Sequence, residues 1–168
     1  MKIARAVAVL GLAFGTLGVA QAPAGAAGST VVTYIYVKNV KTGKCLAVDT
    51  TSNLLRQGTC WRPEARFEKT TLPVLTLRMR STYVNRCVDS NYEEGRVYTS
   101  PPAGRRKCSS TDRGQTWKLG TGTTDGRLSP VSSGMYLFFE DGGGVSLHEH
   151  TSDSDLVDNM DFKILYQN

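Results

Sequence analysis

From Val31 onward the apolar residues come in short runs of four to seven, each closed off by Gly, Pro, Asn, Asp or Ser. The runs are VVTYIYV (31–37), KCLAV (44–48), VLTLRM (74–79), RCVD (86–89), RVYT (96–99), TWKLG (116–120), MYLFF (135–139), VSLHEH (145–150) and FKILY (162–166). They are rich in Val, Ile, Tyr, Thr and Leu and show almost no helical period. Many short strands at regular intervals predict an all-β barrel or sandwich.

A repeat decides between the two. GKCLAVD (43–49) is followed by LRQGTC (55–60) and ARF (65–67). NRCVDSN (85–91) is followed by RVYT (96–99), Cys108 and QTW (115–117), and MYLFFED (135–141) by VSLHEH (145–150) and MDF (160–162). The first Cys positions, Cys45 and Cys87, are 42 residues apart, and Tyr136 stands 49 beyond Cys87. Phe67, Trp117 and Phe162 close three units of about 45 residues, each too small to bury an apolar face alone. These aromatics are therefore expected in a shared core. Tyr136 and His150 take the two cysteine slots in the third unit.

Before these units, Met1 to Ala27 reads as a secretory signal peptide. Lys2 and Arg5 form a positive start, Ala6–Ala20 is apolar but broken by three glycines, and small residues follow. Fifteen residues fall short of the roughly 20 a bilayer span needs, so no membrane insertion is expected. The Ala- and Gly-rich style resembles actinobacterial signals. Residues 28–168 are then the exported, extracellular domain, of a length suited to one fold. All four cysteines lie in it, and an even number in an exported chain points to two disulfides. Of three connectivities, gaps of 15 and 21 residues favour the local pairs Cys45–Cys60 and Cys87–Cys108.

The Cys–Leu/Val pattern, the second Cys and the Q-x-W at Gln115–Trp117 resemble the ricin-type β-trefoil family over roughly residues 33–167. The resemblance implies twelve strands in three lobes about a pseudo-threefold axis. It also implies a sugar site built from an Asp after the first Cys, an aromatic platform and an Asn–Gln pair. A carboxylate accepting sugar hydroxyls and a ring on the apolar sugar face make that set effective. Lobe one has Ala47 in the Asp slot and Glu64-Ala65-Arg66-Phe67 at the Q-x-W, so its site is expected to be lost. Lobe two keeps Asp89 and Gln115, with Tyr98 as platform, but Gly114 replaces the Asn. Lobe three has Asn159, but Phe138 replaces the Asp and Met160 the Gln. Asp89, Tyr98 and Gln115 are thus the carbohydrate candidates. The alternative is structural, with Asp89 a turn residue and Gln115 a hydrogen bond in the barrel wall.

At 40% hydrophobic and 21% charged residues the chain is too apolar to be disordered. Without Lys2 and Arg5 it holds 18 basic against 15 acidic residues, a weak balance that gives no reason to expect nucleic acid. The distribution is lopsided: residues 28–120 carry 16 basic against 7 acidic, residues 121–168 only 2 against 8. Such polarity steers oriented association, or merely maintains solubility. Ser100–Lys107 lengthens lobe two. Pro101 and Pro102 stiffen it, and Arg105, Arg106 and Lys107 charge it, which suits a partner-binding loop or a protease-plugging one, or a tolerated insertion. Residues 28–33 read as a β-prone arm or as the first barrel strand.

Catalytic signatures are missing. His148 and His150 share a strand face without a third ligand. Asp153, Asp155, Asp158 and Asp161 miss the EF-hand spacing. No metal or cofactor is expected, and the chain is read as a non-enzyme. Two functions lead, with a trefoil protease inhibitor acting through residues 100–107 third. One is a protein–protein adaptor, resembling the small adaptor subunits of secreted actinobacterial umbrella toxin particles. The other is a lectin holding a cell-surface glycan through lobe two.

Overall fold

The computed structural model describes residues 32–91, 95–100, 108–109, 111–120, 125–149, 151 and 153–167. All of them belong to one compact unit, Val31–Asn168. The expected signal peptide, the 101–107 stretch and His150 lie outside the described residues.

Twelve strands follow one another: β1 Thr33–Asn39, β2 Cys45–Val48, β3 Leu55–Gly58, β4 Phe67–Leu72, β5 Thr76–Ser81, β6 Arg86–Asn91, β7 Arg96–Thr99, β8 Trp117–Leu119, β9 Asp125–Pro130, β10 Tyr136–Phe139, β11 Val145–His148 and β12 Asp161–Gln167. A 3-10 turn, Pro63–Ala65, precedes β4, and a short helix, α1 (Ser154–Val157), lies before β12. All nine expected runs contribute strands. Three more strands, β3, β4 and β9, complete the twelve that the resemblance implies but match none of those runs. One boundary is corrected: Val74 and Leu75, read as the start of a strand, form the tight β4–β5 turn at φ of +59° and +54°.

The pairing closes. β1 pairs with β4, β4 with β5, β5 with β8, β8 with β9, β9 with β12, and β12 with β1, all antiparallel. That is a six-stranded barrel with no free edge. The other six strands are three hairpins, β2–β3, β6–β7 and β10–β11. Single bridges Leu54–Tyr98, Ser146–Arg96 and Arg56–Gly144 link the hairpins in a triangle. Each lobe therefore supplies two barrel strands and one hairpin, which is the β-trefoil.

The threefold relation extends to single residues. Phe67, Trp117 and Phe162 are all fully buried at the starts of β4, β8 and β12, as the repeat predicted. Val37, Met79 and Leu128 form a second buried layer, and Leu46, Val88 and Leu137 a third. Gly43, Asn85 and Gly134, each two residues before the Cys-or-Tyr position, share a left-handed φ of +67°, +55° and +74°. Gly and Asn tolerate that conformation, which aims each hairpin back over the barrel.

Both disulfides are local, Cys45–Cys60 and Cys87–Cys108. Each ties the start of its hairpin to the segment leading into the last barrel strand. In lobe one, Tyr36, Cys45, Ala47 and Ala65 form a small apolar cluster with Cys60 and Leu165 packed against it. Lobe three lacks a staple. There Phe139 meets Phe162 edge-on with ring centroids 5.0 Å apart.

Candidate functional site

Lobe two brings Asp89 and Gln115 together. Asp89 lies on β6 directly across from Tyr98 on β7. Asp89 is only 2% exposed. Asp89 Oδ1 accepts the Ser90 backbone N–H at 2.8 Å, and Oδ2 accepts Gln115 Nε2–H at 3.1 Å. Gln115 is fully buried, and its Oε1 accepts the Ser109 N–H at 2.9 Å, beside Cys108. Gln115 Nε2 also donates to Asp112 Oδ2 at 3.3 Å, while Asp112 Oδ1 accepts the Gly114 N–H at 3.0 Å. Two residues on, Trp117 Nε1 donates to the Val88 carbonyl at 3.3 Å. A buried carboxylate requires such donors, and these come from the protein itself.

Gly114 explains how the carboxylate fits. A Cβ there would sit 2.6 Å from Asp89 Oδ1 and 2.9 Å from the Ser90 carbonyl. Asp89 occupies the space that any side chain at 114 would need, including the Asn of a ricin-type site. Tyr98 is half-buried beside this network. The remaining partner-loop candidates, Pro101, Pro102, Arg105, Arg106 and Lys107, are outside the described residues.

In lobe three the corresponding slot is filled. Phe138 stacks on His148 at 4.1 Å, and His148 Nε2 lies 3.0 Å from Glu140 Oε1. Asn159 is buried, and its carbonyl accepts Asn39 Nδ2–H at 3.2 Å. Asn39, fully buried, also bonds the Asp161 carbonyl at 3.1 Å and so ties lobe one to lobe three. No sequence pattern singled it out.

Lobe one is the unexpected one. Ala47, across from Arg56, opens a concavity of about 230 Å³ also lined by Gly58, Thr59, Arg62 and Glu64. A second concavity of about 360 Å³ adjoins it beyond Gly58 and Thr59, walled by Lys38, Lys44, Trp61 and Leu165. Trp61 is 63% exposed, at φ +68°, with its ring 4.6 Å from that of Tyr36. The sequence signal was a Trp directly after Cys60 in a polar turn, where a core position has no use for it. A third concavity of about 370 Å³ lies at the barrel mouth, bounded by Lys69, Leu75, Leu77, Leu119 and Gly120.

Among the described residues no group of three or more His, Cys, Asp or Glu is placed to hold a metal, and no helix is long and apolar enough to cross a membrane.

No protein-family model and no curated protein matches the chain. Solved structures do. The designed threefold-symmetric protein ThreeFoil superposes with a TM-score of 0.62 at 16% identity, over 79% of this chain and 97% of its own. SeviL, solved with an asialo-GM1 saccharide, gives 0.59 at 13% identity, over 80% and 97%. A GlcNAcα1-4Gal-releasing endo-β-galactosidase from Clostridium perfringens gives 0.67 at 11% identity, over 81% of this chain but 33% of the enzyme. The chain thus spans about a third of that enzyme's length. At these identities the likeness concerns fold alone. With the closed six-stranded barrel, the hairpin triangle and the two lobe-bound disulfides, it identifies the fold of the chain as a β-trefoil.

Proposed function

We propose that the chain is an exported, non-catalytic binding module, with residues 1–27 its signal peptide and 28–168 the mature trefoil. Its activity is to hold other secreted proteins in a complex. The observation that carries this reading is the inward closure of lobe two. The lobe that keeps both the Asp and the Gln of a sugar-type set directs them at each other, 3.1 Å apart and buried. Polar groups so engaged stabilise the fold, and with Asp89 2% exposed and Gln115 fully buried they are not presented to an incoming ligand. The charge asymmetry along the sequence suits an adaptor, since regions of opposite sign favour oriented association with charged partners. The test is affinity capture of the tagged native protein from culture fluid, followed by mass spectrometry. Stoichiometric recovery of larger secreted proteins is expected, and recovery of the chain alone would refute the adaptor reading.

A second reading is a lectin using lobe two. Tyr98 in register with Asp89 favours it, because a half-buried ring beside a carboxylate is the geometry a sugar face needs. SeviL, of the same fold, was solved with a saccharide. A glycan array answers this. Hits lost on Tyr98→Ala would establish the lectin, and an array without hits above background would remove it.

A further inference from the structure

We infer that the two adjoining concavities of lobe one form the docking site for an acidic segment of a partner protein, with Trp61 as its apolar anchor. This rests on the binding-module reading and names where the partner sits and what chemistry it carries. Lys38 and Lys44 wall one concavity, and Arg56 and Arg62 line the other. Lys44, Arg56 and Arg62 are exposed. Within the described residues no hydrogen bond or salt bridge occupies any of these four side chains.

Several cations elsewhere on the barrel are committed. Arg80 is paired with Glu68, and Arg127 with Asp161 at 3.3 Å. Arg66 Nε–H is donated to Thr82 at 3.1 Å, and Lys69 Nζ–H to Tyr166 at 3.0 Å. Lys38, Lys44 and Arg62, with Arg56 engaged only through space by the Asp49 carboxylate, give this face an excess of positive charge that selects for negative charge.

Their arrangement selects further. They are spread over two concavities astride Gly58-Thr59-Cys60-Trp61-Arg62 rather than converging on one point. An extended ligand with several carboxylates satisfies them, and a single small anion does not. In the wall of the larger concavity stands Trp61, held on a left-handed backbone next to the Cys45–Cys60 staple. An exposed, rigidly mounted Trp is what an interface anchor requires. Leu165 in the same wall extends the apolar contact. A peptide that mixes carboxylates with an apolar side chain meets both demands, which an acidic polysaccharide does not. Glu64, in the smaller concavity, is the one carboxylate and sets the register by repelling a misplaced Asp or Glu.

The test uses the oxidised, exported protein and three probes: the capped peptide Glu-Glu-Leu-Glu-Glu, its reverse-charge form Lys-Lys-Leu-Lys-Lys, and polygalacturonate. Binding is read by calorimetry and by tryptophan fluorescence. Trp61 is exposed and Trp117 fully buried, so a titrating signal reports Trp61. The acidic peptide is expected to bind at low salt and to weaken steeply with added salt. Arg56→Ala with Arg62→Ala, and separately Trp61→Ala, should each raise Kd about tenfold. These side chains are exposed, so an unchanged melting temperature verifies the fold of each variant. No binding of the acidic peptide, equal binding of the lysine peptide, an unchanged Kd in the variants, or tighter binding of polygalacturonate through the same residues would each overturn the inference. If the native partner still co-purifies with the Arg56/Arg62 double variant, this face is not the docking site while the binding-module reading stands.

Discussion

Replacing Gly114 with Ala tests the lobe-two network with a single methyl group. The added Cβ would lie 2.6 Å from Asp89 Oδ1, whereas ordinary contact begins at 3.4 Å. The carboxylate would have to recede by about 0.8 Å, and the Ser90 carbonyl at 2.9 Å blocks relief on the other side. Gly114 has no left-handed backbone to excuse a penalty. Without the clash, Gly→Ala would stabilise by about 0.4–1 kcal/mol through the unfolded chain. The sign is therefore diagnostic. Displacing Asp89 strains or breaks its bond to Gln115, a charge-assisted contact in a buried site worth about 1.5–3 kcal/mol. Local overpacking adds about 1–3 kcal/mol, partly the same event. A net loss of about 3 kcal/mol follows, which is a fall in Tm of about 6–12 °C for a chain of this size. Calorimetric melts at neutral pH, with both disulfides verified intact, measure it. Gly114→Asn, which completes the sugar-type set on paper, should lose more. An unchanged or raised Tm in Gly114→Ala would refute the claim that Asp89 is lodged against residue 114.

The parts of the fold legible in the sequence were those where all three lobes face the same physical demand. Phe67, Trp117 and Phe162 each fill the common core, so an aromatic recurs at that spacing. The turn before each hairpin also requires a left-handed residue, met by Gly43, Asn85 and Gly134, a recurrence that the change of residue type at Asn85 hid. The strands that were not foreseen break that uniformity. In β9 the position matching Ile35 and Leu77 is Gly126, because the Leu119 side chain already fills the space, 3.0 Å from where a Cβ would stand. β4 reads as polar because beyond Phe67 its barrel-facing residues, Lys69 and Thr71, line the open mouth. In β3 the buried Gln57 looks hydrophilic, but it spends its amide on lobe three, donating to the Gly144 carbonyl at 3.3 Å and to that of Glu140. At the candidate sites, Asp89 and Gln115 were legible as a pair by analogy, but the direction of their hydrogen bonds was not. The lobe-one face was hidden because only the hairpin and its disulfide bring Lys38 and Lys44 up to the 56–62 stretch that carries Arg56, Trp61 and Arg62.

Three other outcomes follow from the same geometry. Reducing both disulfides, which close separations of 15 and 21 residues, should cost about 3 kcal/mol each and lower the melting temperature markedly; an unchanged melt after verified reduction would contradict their role as staples. Val74 and Leu75, 88% and 71% exposed, sit in left-handed backbone that costs an L-residue about 1–2 kcal/mol, so Val74→Asn with Leu75→Gly should raise the unfolding free energy in urea. The Asp49 carboxyl is held below its ordinary value, chiefly by the Thr51 N–H at 2.9 Å and then by Ser52. A depressed folded-state value stabilises above the ordinary carboxylate range and fades as pH falls through the lowered one. Asp49→Ala should therefore weaken the protein in urea melts at pH 7 and leave it unchanged in strong acid.

The claim that binding to other proteins is what this trefoil does is tested most directly by its mass in native culture fluid, read by size-exclusion chromatography with light scattering under gentle, low-salt conditions. A species well above the 18.3 kDa of the full chain is predicted, dissociating as salt is raised. Elution at the monomer mass alone, at every salt concentration, would contradict it.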